Sequence, residues 1–274
     1  MTADAELATV VTAELLEHER DAVAAQPDTP PETVASSRDV ACIMYTSGST
    51  WRPKGVEITH RGITDLVTCA EHTQLGPGSR LLHAASISFD AAILEIWSAL
   101  LTGSQLVIAE PGPLSPARLG QLLRQSTDAF LPTALFHRQV EEAPGSFTGL
   151  RTLMVGGEAL EHAHAVKALQ HSPGLRLINL YGPTETTVYA TYHVMTSPEQ
   201  VPFPVPIGRP APNVKLRVLD ADGQPAAAGA VGELYVGRPG LAAGYLGRPE
   251  LNRSDFPAGV LLAGDQSATA WVSA

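Results

Sequence analysis

Between residues 40 and 180 the sequence alternates short apolar runs with amphipathic stretches, and this alternation restricts the chain to few architectures. Runs at 40–45, 80–84, 105–109, 152–155 and 175–180 have the length and composition of strands. Between them, residues 61–71, a stretch starting at Asp90, and residues 162–170 carry helical periodicity. Ser115 and Pro116 are an N-cap and a first helical residue for another helix, reaching Gln125. Strands separated by helices form mainly parallel sheet flanked by helices, so the fold class expected is α/β. The ends differ in texture. Residues 5–25 read as an Ala- and Glu-rich helix, and residues 26–38 as a polar, Pro-rich connector. After Pro202, prolines and glycines multiply, and strands over 214–219 and 232–236 surround an Asp222-Gly223 turn. The expected organisation is therefore a helix and linker over 1–38, an α/β region over 39–200, and a smaller β-rich subdomain over 201–274. The tail of that subdomain, 266–274, shows no periodicity.

Charge narrows the ligands. The net charge is −10 and the 18 basic residues are scattered, which argues against a nucleic-acid surface. No run approaches the ~20 apolar residues of a membrane span, and the acidic N-terminus lacks the pattern of a secretory signal. Cys42 and Cys69 give neither a disulfide framework nor metal-ligand spacing. A cytoplasmic location follows as the expectation. With so few cations, a phosphate ligand would have to be held locally by backbone N–H groups and one or two positive charges.

Residues 45–56 supply such a place, reading Tyr-Thr-Ser-Gly-Ser-Thr-Trp-Arg-Pro-Lys-Gly-Val. A buried strand ending in small hydroxyl residues and glycine lets main-chain amides approach an anion, and Lys54 adds a mobile charge. Pro53 before Lys54 and Gly55 after it break the Gly-Lys-Ser/Thr order of a Walker A loop. A plain Ser/Gly surface loop would share the composition. His162 and His164 lie two apart, on different faces of a helix, which speaks against a joint metal site and reads as surface histidines.

This loop resembles the phosphate-binding signature of the adenylate-forming enzymes, the superfamily of peptide-synthetase adenylation domains, acyl-CoA ligases and luciferases. Further segments in the family's order carry the resemblance: Phe89-Asp90-Ala91-Ala92, Gly156-Gly157-Glu158-Ala159-Leu160, Asn179-Leu180-Tyr181-Gly182-Pro183-Thr184-Glu185-Thr186-Thr187, Gly232-Glu233-Leu234-Tyr235-Val236, residues 240–245, and Gly264-Asp265. The resemblance covers about residues 40–265. It implies part of that family's large domain, and ATP-dependent activation of a carboxylate with release of pyrophosphate.

On that resemblance, Thr46, Ser47, Gly48, Ser49, Thr50 and Lys54 would hold the β- and γ-phosphates of ATP. Thr184 would hydrogen-bond the α-phosphate and Glu185 would hold Mg²⁺. Tyr181 would lie against adenine, with Gly156 and Gly157 giving the base access to backbone, and Asp265 would bind the ribose hydroxyls. Asp90, whose plain role is a helix N-cap, resembles the aspartate that pairs with the α-ammonium in the amino-acid-activating branch, a reading that Glu95 reinforces. The side-chain pocket would take Ala91, Leu94, Met154, Gly156, Leu180, Val188 and Tyr189, with Ala129 a weaker addition. None of these is charged, which points to an apolar or aromatic amino acid. The product would pass to the phosphopantetheine arm of a carrier protein. A fatty-acid or acyl-CoA ligase relative is disfavoured by Asp90.

Three departures from the family pattern stand out. Trp51 occupies a glycine position in the loop, where an indole would crowd a phosphate. Ala263 stands where threonine is usual. The chain also reads as a truncated version of the large domain, lacking the small C-terminal domain with its lysine, which would then come from another chain. A catalytically impaired remnant that binds nucleotide or partner proteins is the alternative expectation.

Overall fold

The computed structural model describes residues 20–25, 27, 29, 35–46, 53–68, 70–256 and 271–273. The chain separates between residues 36 and 37 into two units. Of the first, the described helix is α1 (Arg20–Ala24), within the region expected to be helical.

The second unit is built around a seven-stranded sheet. Its strands are β3 (Arg80–His83), β4 (Gln105–Ile108), β5 (Asp128–Pro132), β6 (Thr152–Gly156), β7 (Arg176–Tyr181), β8 (Thr191–Met195) and β9 (Arg209–Pro210), in the order β4-β3-β5-β6-β7-β8-β9. The pairings from β4 through β7 are parallel, and β8 and β9 add antiparallel to one end. The expected parallel-rich α/β class is what forms. β9 extends this sheet past residue 200.

Side chains alternate across the sheet, as the two-residue strand period requires. Leu82, Ala129, Leu131, Leu153, Val155 and Leu177 face one core, shared with α4 (Pro116–Gln125), α5 (Thr133–Glu142) and α6 (His162–His171). Leu81, Phe130, Met154, Ile178 and Leu180 face the other, shared with α2 (His60–Thr68) and α3 (Ala91–Thr102). Helices thus cover both faces. α4 begins where the sequence places it: Pro116 opens the helix and the Ser115 side chain accepts from the Arg118 amide at 3.2 Å.

The opening hairpin corrects two expectations. β1 (Val40–Thr46) is not a buried strand, because Val40, Ile43 and Tyr45 are each more than 40% exposed. Nor does irregular loop persist to residue 55. Lys54 begins β2 (Lys54–Thr59), antiparallel to β1, with Thr46 facing Lys54 across the pair. Val56 and Ile58 alternate inward with Glu57 between them, and this half-buried pattern fits a strand. Near the other end, β10 (Lys215–Leu219) and β11 (Glu233–Gly237) flank the turn at Asp222-Gly223, where Gly223 takes φ +73° and Asp220 accepts from the amides of Asp222 and Gln224. The tail read as patternless is also used. Its β12 (Trp271–Ser273) pairs antiparallel with β11 as the third strand of this small sheet. α7 (Pro249–Asp255) precedes it.

Candidate functional site

The parallel strands β3, β5, β6 and β7 all end at one edge of the large sheet, and the loops leaving them enclose two adjoining cavities there. Crevices beyond the carboxyl ends of parallel strands are where open α/β sheets place ligands. The first cavity, ≈ 420 Å³, is walled by Ala85, Phe89, Asp90, Phe130, Pro132 and Gly156, among others. The second, ≈ 380 Å³, includes Asn179, Leu180, Tyr181, Gly182 and Pro183. Gly157 and Glu158 line both. This shared wall demands glycine. A Cβ on Gly156 would stand 2.8 Å from the Leu180 carbonyl oxygen, and Gly157 adopts φ +101°.

Asp90 sits at the start of α3 without capping it. Its Oδ2 instead accepts a 2.6 Å hydrogen bond from the Thr184 hydroxyl. Burial holds its carboxyl above the ordinary carboxylate range, against the opposing pull of that bond, and the nearby Glu185 charge raises it further. Glu95, one turn and more along the helix, is buried and binds His83 Nδ1 at 2.6 Å and the Ala85 amide at 3.2 Å, which fixes the 84–90 wall of the first cavity. The hydrogen bond to Glu95 raises the His83 pKa.

Beyond Thr184 the polar line continues. Residues Thr184–Thr186 form a single 3-10 turn. Glu185 accepts from the Tyr245 phenol at 2.5 Å, and the same phenol oxygen accepts from Lys54 Nζ at 3.0 Å. Lys54 also lies 4.2 Å from the Tyr245 ring centre and 3.7 Å from the Glu185 carboxylate. Burial, followed by the Glu185 carboxylate, pushes the Tyr245 phenol far above its ordinary pKa, so it remains a donor. Backbone bonds seat this tyrosine: Leu246 donates to Gly55, Glu57 to Gly244, and Ala242 to Glu185. One continuous path therefore joins the first cavity to the hairpin end through Asp90, Thr184, Glu185, Tyr245 and Lys54. Thr46, facing Lys54, has a buried hydroxyl with no partner among the described residues.

After that turn the backbone is strained. Thr187 and Val188 take φ of +60° and +73°, a conformation that β-branched residues avoid. Thr187 is locked by its hydroxyl bond to the Gly240 carbonyl (2.9 Å), and the buried Arg238 guanidinium donates to the carbonyls of Thr186 and Tyr189, both at 3.1 Å.

The structure thus gathers Asp90, Ala91, Gly156 and Gly157 at the first cavity and Leu180, Tyr181 and Gly157 at the second. Leu94, Met154, Val188 and Tyr189 line neither, and pack in the adjoining core. Met154 lies on the same strand face as Gly156 but two residues deeper. Ala129 is a correction. It points into the opposite core, and its neighbour Phe130 is the β5 residue that reaches the cavity, as strand alternation dictates. His164 is a second correction, being half-buried against His137 and not a free surface histidine. Ser47, Gly48, Ser49, Thr50, Trp51, Ala263 and Asp265 lie outside the described residues. Tyr245 and Arg238 escaped sequence reasoning as functional candidates, although Tyr245 ends one of the segments that carry the family resemblance. Only contacts spanning 191 and 52 residues reveal them.

Similarity to known proteins accords with this arrangement. The pattern that defines the AMP-binding enzymes matches residues 2–246. Malpibaldin synthetase of Mortierella alpina is 45% identical over 228 residues, which cover 81% of this chain and 4% of that protein. Tyrocidine synthase 3 of Brevibacillus parabrevis is 38% identical over 229 residues, 82% of this chain and 4% of its own. Among solved structures, the N-terminal subdomain of Klebsiella oxytoca NpsA in complex with 3-hydroxybenzoyl-AMSN superposes with a TM-score of 0.83 at 30% identity, covering 93% of this chain and 65% of that one. PA1221, a nonribosomal peptide synthetase protein containing adenylation and PCP domains, superposes with 0.81 at 35% identity, covering 91% and 51%. This chain spans only a small fraction of the curated relatives.

Proposed function

The chain belongs to the family of AMP-binding enzymes, and we propose on that premise that it activates the carboxylate of an apolar or aromatic α-amino acid with ATP, for delivery to the phosphopantetheine thiol of a carrier protein. The reading rests on one observation above all: an apolar cavity with a half-buried carboxylate, Asp90, at its rim, sharing the Gly157–Glu158 wall with a second cavity beside Tyr181. The first suits an amino acid, with Asp90 meeting the α-ammonium through a charge-assisted bond that strengthens in a closed site. An incoming ammonium also offsets the burial that now holds the Asp90 carboxyl up.

The residues fit a nucleotide as the second substrate. Gly156 and Gly157 leave room for a flat base near backbone, Tyr181 offers a ring face, and the Thr46 hydroxyl, without a partner among the described residues, stands ready for an acceptor. Mg²⁺, a hard cation suited to carboxylate oxygen, would be held by Glu185 and would neutralise phosphate charge when bound. The substrate carboxylate oxygen forms a bond to the α-phosphorus as the α–β bridging bond breaks, and the electron pair leaves on pyrophosphate. The chain's own residues position the parts: Asp90 anchors the amino end, Thr184 donates to an α-phosphate oxygen, and Lys54 meets phosphate charge at the hairpin end. Thr184 must leave Asp90 to do so, and the ammonium then replaces it on the carboxylate.

ATP–pyrophosphate exchange with a panel of apolar and aromatic amino acids tests this. Exchange above the amino-acid-free control, with the deaminated analogue of the best substrate used far less, is the expected result. Equal use of both would remove the role given to Asp90. Trp51 favours a second reading, a protein that binds nucleotide without turning it over. Nucleotide uptake by calorimetry without exchange, and exchange restored by Trp51→Gly, would select it.

A further inference from the structure

Away from both cavities, α5 and α6 bring together side chains 24 and 27 residues apart in sequence whose combined chemistry is that of a metal site. His137 on α5 stacks on His164 on α6 with ring centres 4.2 Å apart. Glu161, just before α6, places a carboxylate oxygen 3.0 Å from His164 Nδ1, and Glu141 on α5 places another 3.3 Å from His164 Nε2. One atom from each of His137, Glu161 and His164 lies within 4.8 Å of the other two.

From this juxtaposition we infer that His137, Glu161 and His164 form a binding site for a divalent transition ion of the zinc type, on the seam between the two helices. Two imidazoles and a carboxylate are a donor set for Zn²⁺, Cu²⁺ or Ni²⁺, whereas Mg²⁺ prefers oxygen. Bonds of ~2.1 Å in tetrahedral geometry would draw the donors to ~3.4 Å apart. The closure needed is on the order of 1 Å, within reach of side-chain rotation on fixed helices. His164 Nδ1 faces the Glu161 carboxylate at 3.0 Å and would take the metal beside it, which leaves Nε2 facing Glu141 at 3.3 Å, an acid placed to orient the ring. His137 Nε2 accepts from the Glu161 amide at 3.3 Å, a long bond that is cheap to exchange for a metal bond. The first coordination shell leaves room for water or Glu141.

The position gives the site a consequence. Glu161 ends the loop that starts at Gly157, and Thr133 at the head of α5 already bonds the Glu158 carbonyl at 3.1 Å. An ion at His137, Glu161 and His164 would tie both ends of that loop to α5 and stiffen the wall common to the two cavities.

The test is calorimetric titration of the tag-free, chelator-treated protein with Zn²⁺ in the presence of excess Mg²⁺. One saturable equivalent is expected, lost in His137→Asn and in His164→Asn and weakened roughly 10-fold in Glu141→Gln. Zn²⁺ should raise the thermal midpoint of the wild type and leave the His137→Asn/His164→Asn double variant unmoved, while metal-free circular dichroism confirms that the variants fold. Absent saturable uptake, or uptake that survives in the folded double variant, overturns the site and leaves a stacked imidazole pair between acids.

Discussion

His72 should make this protein acid-sensitive in a way that one substitution removes. Its ring is buried flat against Tyr192, with centres 3.8 Å apart and planes 8° from parallel, and meets the edge of Tyr189 at 5.6 Å. Neither ring nitrogen has a hydrogen-bond partner among the described residues. The Arg176 side chain donates to the His72 carbonyl, and the Arg209 guanidinium lies over the Tyr192 ring, 5.0 Å from its centre. Burial, then the charges of Arg176 and Arg209, hold the imidazole down at about 4, from an ordinary 6.5. The unfolded chain therefore binds the proton more readily than the folded one across this window. Stability is full above pH 6.5 and declines as the pH falls towards 4. The gap of about 2.5 corresponds to a loss of about 3 kcal/mol once both states are protonated, and to about 2 kcal/mol at pH 5. His72→Phe keeps the ring stack and removes the proton. Urea unfolding of both proteins at pH 7.5 and 5.0 should show the variant gaining about 2 kcal/mol on the wild type between the two. His137 and His193, whose pKa values are also lowered by burial, titrate in both proteins and cancel. Parallel pH profiles for the two proteins would refute the reasoning.

Two substitutions probe the polar path. Tyr245→Phe strips the phenol from between Lys54 and Glu185 and should cost about 2 kcal/mol in urea unfolding, since both of its bonds involve charged groups. The phenol keeps its proton in the folded and the unfolded chain alike below its ordinary 10, so the cost should be the same at pH 7 and 9, and a loss that vanishes by pH 9 would contradict the assignment. Arg238→Lys removes the one guanidinium nitrogen that donates to both the Thr186 and Tyr189 carbonyls and puts a differently placed ammonium in its stead, and should cost about 2–3 kcal/mol while preserving the charge. Unchanged thermal and urea midpoints would show that the strained residues after Glu185 hold their conformation unaided.

Sequence patterns made the large sheet legible wherever strands were separated by helices with clear starts. Ser115 and Pro116 mark α4, and Asp90 marks the start of α3. β5 left no comparable trace. Its residues through Leu131 are buried on both faces, so they do not alternate, and they run without a break into Thr133 and α5. β2 is hidden for another reason: Lys54 and Gly55 read as loop chemistry, and their strand conformation comes from pairing with Tyr45 and Thr46. At the site, motif order named the loop residues, Asp90, Tyr181, Thr184 and Glu185, but a single sequence carries no depth. It could not separate Gly156, at the cavity, from Met154, two residues down the same face, nor choose Phe130 over Ala129. The His137–His164 stack has no spacing signature at all, since it joins two helices.

The 238–246 segment explains why these scattered residues form one site. It bonds to β2 through the backbone of Gly244 and Leu246, to the turn after Pro183 through Ala242, Gly240 and Arg238, and it carries Tyr245 into the gap between Lys54 and Glu185. None of these bonds is local. The left-handed pair Thr187 and Val188 costs on the order of 1–3 kcal/mol per residue, beside the local amide bonds from Thr187 to Thr184 and from Tyr189 to Thr187. Compensation comes from the buried guanidinium and the Thr187–Gly240 bond, both supplied by the chain fifty residues on. The strain and its remedy therefore act together: the turn that presents Thr184 to Asp90 and Glu185 to Lys54 keeps its shape only while the 238–246 segment is docked. A change that loosens that segment should disorganise Asp90, Glu185 and Lys54 at once, although it touches none of the cavity walls.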